Sequence, residues 1–206
     1  FGGLAKEFGV TLVAGSIVLP APYVQQGVLH AGRGALFNSS VVFAGDGSLL
    51  GQPQRQQYPD SDMRRYVQEG RDYPLQVVQT PAGRLGVLVG SDSWYPQNHQ
   101  QLASQGVQLV ANPVFLSGKG SWQAPWRGNR HQAASAGLAV QRGQVSEQTA
   151  WQRLTEAAGA GVSSMSVFMR GQFWEHGSDG QGFARQAGEL LAGTPSPGAR
   201  LLNLWL

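Results

Sequence analysis

Cysteine is absent from the 206 residues, which excludes disulfides, thiolate metal sites and thiol catalysis by this chain's own side chains. The compartment stays open, because cysteine-free chains suit reducing and oxidising surroundings alike; the cytoplasm is only a default. Charge is also scarce: 13% of residues are charged, with a net charge of +3 and a pI near 9.6. Nucleic-acid recognition needs basic residues clustered on one face. The densest group here, Arg64, Arg65 and Arg71, has Asp60 and Asp62 beside it, the pattern of a solvated surface. Long apolar runs are missing too. None approaches the roughly 20 residues of a membrane span, and no signal-peptide pattern is visible. Neither nucleic acid nor membrane is an expected partner. The four histidines, His30, His99, His131 and His176, lack metal-ligand spacing, and Gly177-Ser178-Asp179-Gly180 is a turn with no phosphate-binding helix after it. No metal and no cofactor is expected.

What is present fits one domain of 22.0 kDa with a sizeable core. The chain opens inside a helix already under way (Leu4 to Phe8), so it reads as a fragment or processed product. Gly9 is placed to end that helix, and Val10 to Ser16 is a β-branched strand. Ala35 to Ala44 is the next strand, followed by the turn Gly45-Asp46-Gly47. Gly51 to Arg71, rich in Gln and Arg and holding Pro53 and Pro59, reads as a long loop of the kind that is usually functional. Leu75 to Gln79 and Leu85 to Val89 form a hairpin about Pro81-Ala82-Gly83. Phe115 to Arg130, dense in Gly and Trp, is a loop. Ser146 caps a helix running to about Ala158. Val162 to Met169 is a strand, and Leu201 to Leu206 a short strand or tail. Helices alternating with strands define an α/β domain.

The most informative stretch is Arg84 to Pro113. It holds a buried strand (Leu85 to Val89), a tight turn (Gly90-Ser91-Asp92), a one-sided helix (Pro96 to Ser104) and a second strand (Val107 to Ala111). A strand that ends in a sharp turn before a helix presents backbone N–H groups and one side chain to a cleft. Here the turn begins with a glycine. Trp94 and Tyr95 follow it directly and are candidate pocket-lining residues, whereas Trp174 suits core packing. His99 is expected to lie on the helix surface.

The stretch resembles the nucleophile segment of the nitrilase superfamily, the carbon–nitrogen hydrolases, whose pattern is close to G-x-x-x-C-x-D-x-x-[FWY]-P-E, then L-A-x-x-G, then a strand ending near N-P. This chain reads Gly86-Val87-Leu88-Val89-Gly90-Ser91-Asp92-Ser93-Trp94-Tyr95-Pro96-Gln97, then Leu102-Ala103-Ser104-Gln105-Gly106, then Asn112-Pro113. Asn38-Ser39 before the Asp46-Gly47 turn matches as well. The resemblance implies an α-β-β-α sandwich over nearly the whole chain, with the family's N-terminal strands missing, and a homodimer. It also implies a small amide, nitrile or carboxylate as ligand.

The family's reaction uses a glutamate base, a lysine for the oxyanion and a cysteine nucleophile. By resemblance the glutamate falls before Phe1, the lysine position holds Arg55, and the cysteine position holds Gly90. Arginine is a broad planar fork rather than a compact donor. Lys119, in the loop after Pro113, is the alternative lysine, although a surface role suits it better. Ser91 could offer an oxyanion N–H or substitute as nucleophile, yet serine needs a strong base and its side chain should point away from that of residue 90. Asp92, Trp94, Tyr95, Asn112 and Pro113 complete the implied pocket. Two function classes stand: a catalytically silent domain used for ligand binding or assembly, or a hydrolase acting through a non-standard nucleophile. A third outcome is a truncated product unable to fold alone, with an exposed sheet edge.

Overall fold

Two sheets packed face to face, the smaller antiparallel and the larger mixed, organise this chain in its computed structural model, which describes residues 1–118, 120–128, 142–159, 161–173, 175–194, 196 and 198–205. The first helix, α1 (Gly2–Phe8), is closed by Gly9 in the left-handed conformation. The β-branched run after it is interrupted, giving β1 (Leu12–Val13) and β2 (Ile17–Pro20) instead of one continuous strand. Both pair antiparallel with β5 (Leu36–Phe43), and β6 (Leu49–Arg55) pairs along the other side of β5. Between them a hairpin unforeseen from the sequence, β3 (Tyr23–Gln25) and β4 (Val28–His30), turns at Gln26-Gly27.

The expected loop Gly51 to Arg71 is corrected in its first part, since β6 extends to Arg55. Pro53 is tolerated because the register with β5 shifts between Ser40 and Val42, and a residue without an N–H fits an irregularity that needs no donor. The remainder, to Arg71, is loop apart from a short 3₁₀ turn at Met63–Arg65.

The larger sheet has the strand order β14-β13-β10-β9-β8-β7. It contains β7 (Val77–Thr80), β8 (Gly83–Val87), β9 (Leu109–Val114), β10 (Ser163–Phe168), β13 (Phe183–Gln186) and β14 (Glu189–Ala192). The central strands β8, β9 and β10 are parallel. A separate small hairpin, β11 (Gly171–Phe173) and β12 (His176–Ser178), overlaps the expected turn Gly177 to Gly180. Leu201 to Trp205 forms no strand.

Side-chain alternation decides what each face meets. Val42 and Leu50 of the smaller sheet meet Leu85, Val87 and Val89 in the apolar layer between the sheets. On the far side of the larger sheet, α2 (Pro96–Ser104) packs Leu102 against Leu75, Leu88, Val107 and Val110. Its approach depends on Gly86, where a Cβ would come within 2.9 Å of the Leu102 methyl carbons. The last helix, α3 (Glu147–Leu154), starts as expected: Ser146 Oγ accepts the Thr149 N–H at 3.2 Å. The first helix lies over the outer face of the smaller sheet, where Gly2 abuts the Phe43 ring. The layers run helix, sheet, sheet, helix: an α-β-β-α sandwich.

Candidate functional site

The strand β8 ends at Val87, and after two more buried residues the chain winds into a 3₁₀ turn, Gly90–Trp94. Four of its five residues, Ser91 to Trp94, are buried. Gly90 is partly open and sits at φ +57, a left-handed conformation that L side chains rarely adopt. A Cβ built on it would meet one side chain within 4 Å: the Gln56 amide, with Nε2 at 3.0 Å and Cδ at 3.9 Å.

Asp92 is the anchor of the turn. Fully buried, it accepts the Gln57 and Tyr58 backbone N–H groups through its two oxygens, at 2.8 Å each. Its own carbonyl accepts Asn98 Nδ2 at 2.9 Å. These bonds tie the exit of β6 to the turn and the turn to α2. Burial pushes the carboxyl up to about 7, against the opposing pull of the two N–H donors.

Ser91 turns away from residue 90 and donates to the Tyr58 carbonyl at 3.1 Å. His99 is buried rather than on the surface, because the turn folds back over the first part of α2. Its Nε2 meets the Ser93 carbonyl at 2.8 Å, and burial lowers its pKa below the ordinary histidine value. It therefore bonds neither serine hydroxyl. Asn112, buried on β9, pairs with Ser93 Oγ at 2.8 Å. With its amide turned so that oxygen accepts from Ser93, its nitrogen reaches the carbonyls of Leu88 (2.6 Å) and Gly90 (3.1 Å).

Arg55 is not directed toward this turn. Its guanidinium donates to the Pro22 carbonyl at 2.8 Å and lies over the rings of Phe37 (4.3 Å) and Tyr73 (3.4 Å). Successive strand residues face opposite ways, so the next residue, Gln56, is the one that reaches Gly90. Gln56 was missed in the sequence; the alternation along β6, had that strand been recognised, was the signal for it.

Trp94 belongs to the aromatic core and does not line an opening. It packs edge-on against Trp151 (4.5 Å) and Trp126 (5.9 Å), in a cluster that also takes in Trp122, Phe168 and Phe183. Tyr95, also buried, stacks on Tyr58 at 3.9 Å. Pro113 borders a cavity of about 380 Å³ between the β1 end and the ends of β9 and β10, which Asn112 also lines and Gly90 does not. The implied pocket residues thus divide between a core, a hydrogen-bond network and a separate cavity. Lys119, His131 and Trp174 lie outside the described residues. The basic group at the surface is neutralised locally, with Arg64 and Arg71 both paired to Glu69. Among the described residues, no three His, Asp or Glu side chains gather as metal ligands, and no helix is long and apolar enough to cross a membrane.

This architecture and turn are those of a carbon–nitrogen hydrolase domain. The carbon-nitrogen hydrolase family model matches residues 1–161, and the chain belongs to that family. It is similar to N-carbamoylputrescine amidase of Solanum lycopersicum, 27% identical over 115 residues that make up 55% of this chain and 34% of the relative. It also matches deaminated glutathione amidase of Yersinia enterocolitica, 25% identical over 58% of this chain and 43% of the relative. Among solved structures, a carbon-nitrogen hydrolase from Helicobacter pylori G27 superposes with a TM-score of 0.65 at 22% identity, over 92% of this chain and 59% of its own. An amidase of Nesterenkonia sp. AN1 gives 0.64 at 20% identity, over 96% and 64%. The chain thus spans well under half the length of these curated relatives and about three fifths of the solved structures.

Proposed function

We propose that this carbon–nitrogen hydrolase domain binds a small amide-type ligand without hydrolysing it, with Gly90 standing where the family's nucleophilic cysteine stands. One observation carries the reading: residue 90 has no side chain, and a Cβ there would stand 3.0 Å from the Gln56 amide nitrogen. Among the described residues, the surroundings supply no substitute. Nucleophilic catalysis needs a hydroxyl or thiol with a base in hydrogen-bond reach. Ser91 gives its proton to a backbone carbonyl, Ser93 is engaged with Asn112, and His99 faces a carbonyl. Asp92 spends both oxygens on backbone N–H groups. Arg55, the residue at the family's lysine position, is held among aromatic rings on the other face of β6.

The relatives support an amide as the ligand class. The curated ones are amidases, and a cysteine-to-alanine mutant of the Nesterenkonia amidase was solved in complex with butyramide, so binding without a thiol has a precedent in this fold. A second copy of the chain is the proposed assembly partner, carried from the family resemblance. The test is ammonia release from acetamide, butyramide and a simple nitrile by the purified chain. No release above buffer is expected. Any release overturns the silent reading, and its loss in Ser91→Ala would identify the substitute nucleophile.

A further inference from the structure

We infer that the opening over Gly90 holds an uncharged carbonyl group, as in a carboxamide or urea, on the Nε2 donor of Gln56. The inference rests on the reading above, that residue 90 brings no nucleophile, and it names the residue that takes the ligand in the nucleophile's stead.

Gln56 as a whole is 3% exposed, yet its nitrogen is not one of the buried polar atoms left without a partner, so it is a donor that a ligand can reach rather than one sealed in the core. Its orientation is set at the other end. Oε1 accepts from Asn38 Nδ2 at 2.9 Å, and the backbone on either side of the side chain is held by Asn38 O and Gly70 N at 2.8 Å each. With the oxygen committed, the nitrogen faces residue 90, and it donates to no acceptor among the described residues. A carboxamide nitrogen carries two N–H donors and no acceptor capacity. Among the described residues, and apart from the chain neighbours of residue 90, the Gln56 amide alone comes within 4 Å of a Cβ built there. The arrangement is a glycine floor with an oriented donor 3.0 Å from where its Cβ would stand.

Charge decides what kind of oxygen belongs there. A carboxylate brought to this point would lose hydration and needs a cation to offset it. The neighbouring cation, Arg55, is on the opposite face of β6 against Phe37 and Tyr73. Asp92, two residues further along the turn and buried there, repels an anion whenever it is ionised. Ligand N–H groups find no acceptor at the floor itself, since the Gly90 carbonyl is within reach of both Ser93 Oγ and the Asn112 amide. A neutral carbonyl oxygen satisfies Gln56 without a charge penalty.

The experiment follows the Gln56 side-chain amide resonances of the ¹⁵N-labelled protein while butyramide, acetamide or acetate is added, with ammonia measured in the same samples. A saturable shift of the Gln56 amide with butyramide and acetamide is expected, with acetate at least tenfold weaker. Gln56→Glu keeps an oxygen for Asn38 and replaces the free donor by an acceptor. Its binding, read from the backbone amides of Gly90 and Ser91, is expected to fall tenfold or more, as is that of Gln56→Leu. Absence of a saturable shift, equal affinity in a folded Gln56→Glu protein, or preference for acetate would each overturn the inference. Ammonia release bears on the silent reading alone: binding without release supports both, and release with Gln56-dependent binding overturns only the silent reading.

Discussion

Replacing Asp92 by asparagine separates the two things this buried carboxylate does. In the folded chain it is 0% exposed, and it accepts two backbone N–H groups at 2.8 Å each. Burial outweighs those donors and raises its pKa from 3.8 to about 7. Between these values the unfolded chain has released the proton and the folded chain has kept it. The folded state then binds more protons, so this group's contribution to stability is full below about pH 4 and declines as the pH rises to about 7. At about 1.4 kcal/mol per tenfold, the whole decline is about 4 kcal/mol, of which about 3 falls between pH 5 and pH 8. Asparagine does not ionise. It keeps one acceptor and leaves one N–H of Gln57 or Tyr58 facing an amide nitrogen, at a cost of about 1–3 kcal/mol at every pH. The variant should therefore be clearly less stable than the parent at pH 5, and the gap should close or reverse by pH 8. Urea unfolding of both proteins at pH 5, 6.5 and 8 measures it, because groups common to both cancel in the difference. A gap that stays constant, or widens with pH, would refute the reasoning and show that the N–H pair holds the carboxyl ionised despite its burial.

Three further substitutions test the frame around the turn. Leu102→Ala, at a fully buried position facing Leu75, Leu88, Val107 and Val110, should lower unfolding stability by about 2–5 kcal/mol, with the larger value if the cavity does not collapse. Ser146→Ala removes the acceptor for the Thr149 N–H and should cost about 1 kcal/mol by denaturant midpoint. Gly90→Ala places a Cβ at φ +57 and 3.0 Å from Gln56 Nε2; the left-handed conformation alone should cost about 1–2 kcal/mol. An unchanged midpoint would mean that the turn relaxes.

The elements with a regular apolar period were legible in the sequence. The helix Pro96–Ser104 falls where its one-sided pattern put it. The hairpin of β7 and β8, the long strand β5 and the Ser146 cap were also in place. The misses share a cause: local composition masked tertiary pairing. The Gln-rich segment 51–55 has neither alternation nor β-branched residues, and it becomes a strand because β5 offers it a partner. Phe183–Gln186 and Glu189–Ala192 are likewise strands by pairing, β13 on β10 and β14 on β13. At the site, the motif located the turn, but which side chain faces it depends on strand phase, and an unrecognised strand has no phase. His99 was misplaced for a related reason, since only the folded-back turn covers it.

On the proposed silent reading, strand phase also governs what it would take to place a nucleophile and a cation at this turn. A thiol placed at residue 90 alone would enter the space that Gln56 Nε2 already approaches to 3.0 Å, so it would arrive against an amide. That amide cannot take its proton, because the nitrogen of a carboxamide is a donor only. A lysine at residue 55 would extend along the face occupied by Phe37 and Tyr73, leaving the turn without a cation. Lysine at residue 56 would face the thiol, but it would break the Asn38 contact that now orients the side chain and would bury a charge beside Asp92. That carboxyl, whose pKa burial raises to about 7, would offset the charge only when ionised. Cysteine at 90 and lysine at 56 are thus coupled to the ionisation of Asp92, and a thiolate would form there only where Asp92 is not also charged without a partner. Residues 90 and 56 are therefore coupled, because any side chain added at residue 90 meets the Gln56 amide first.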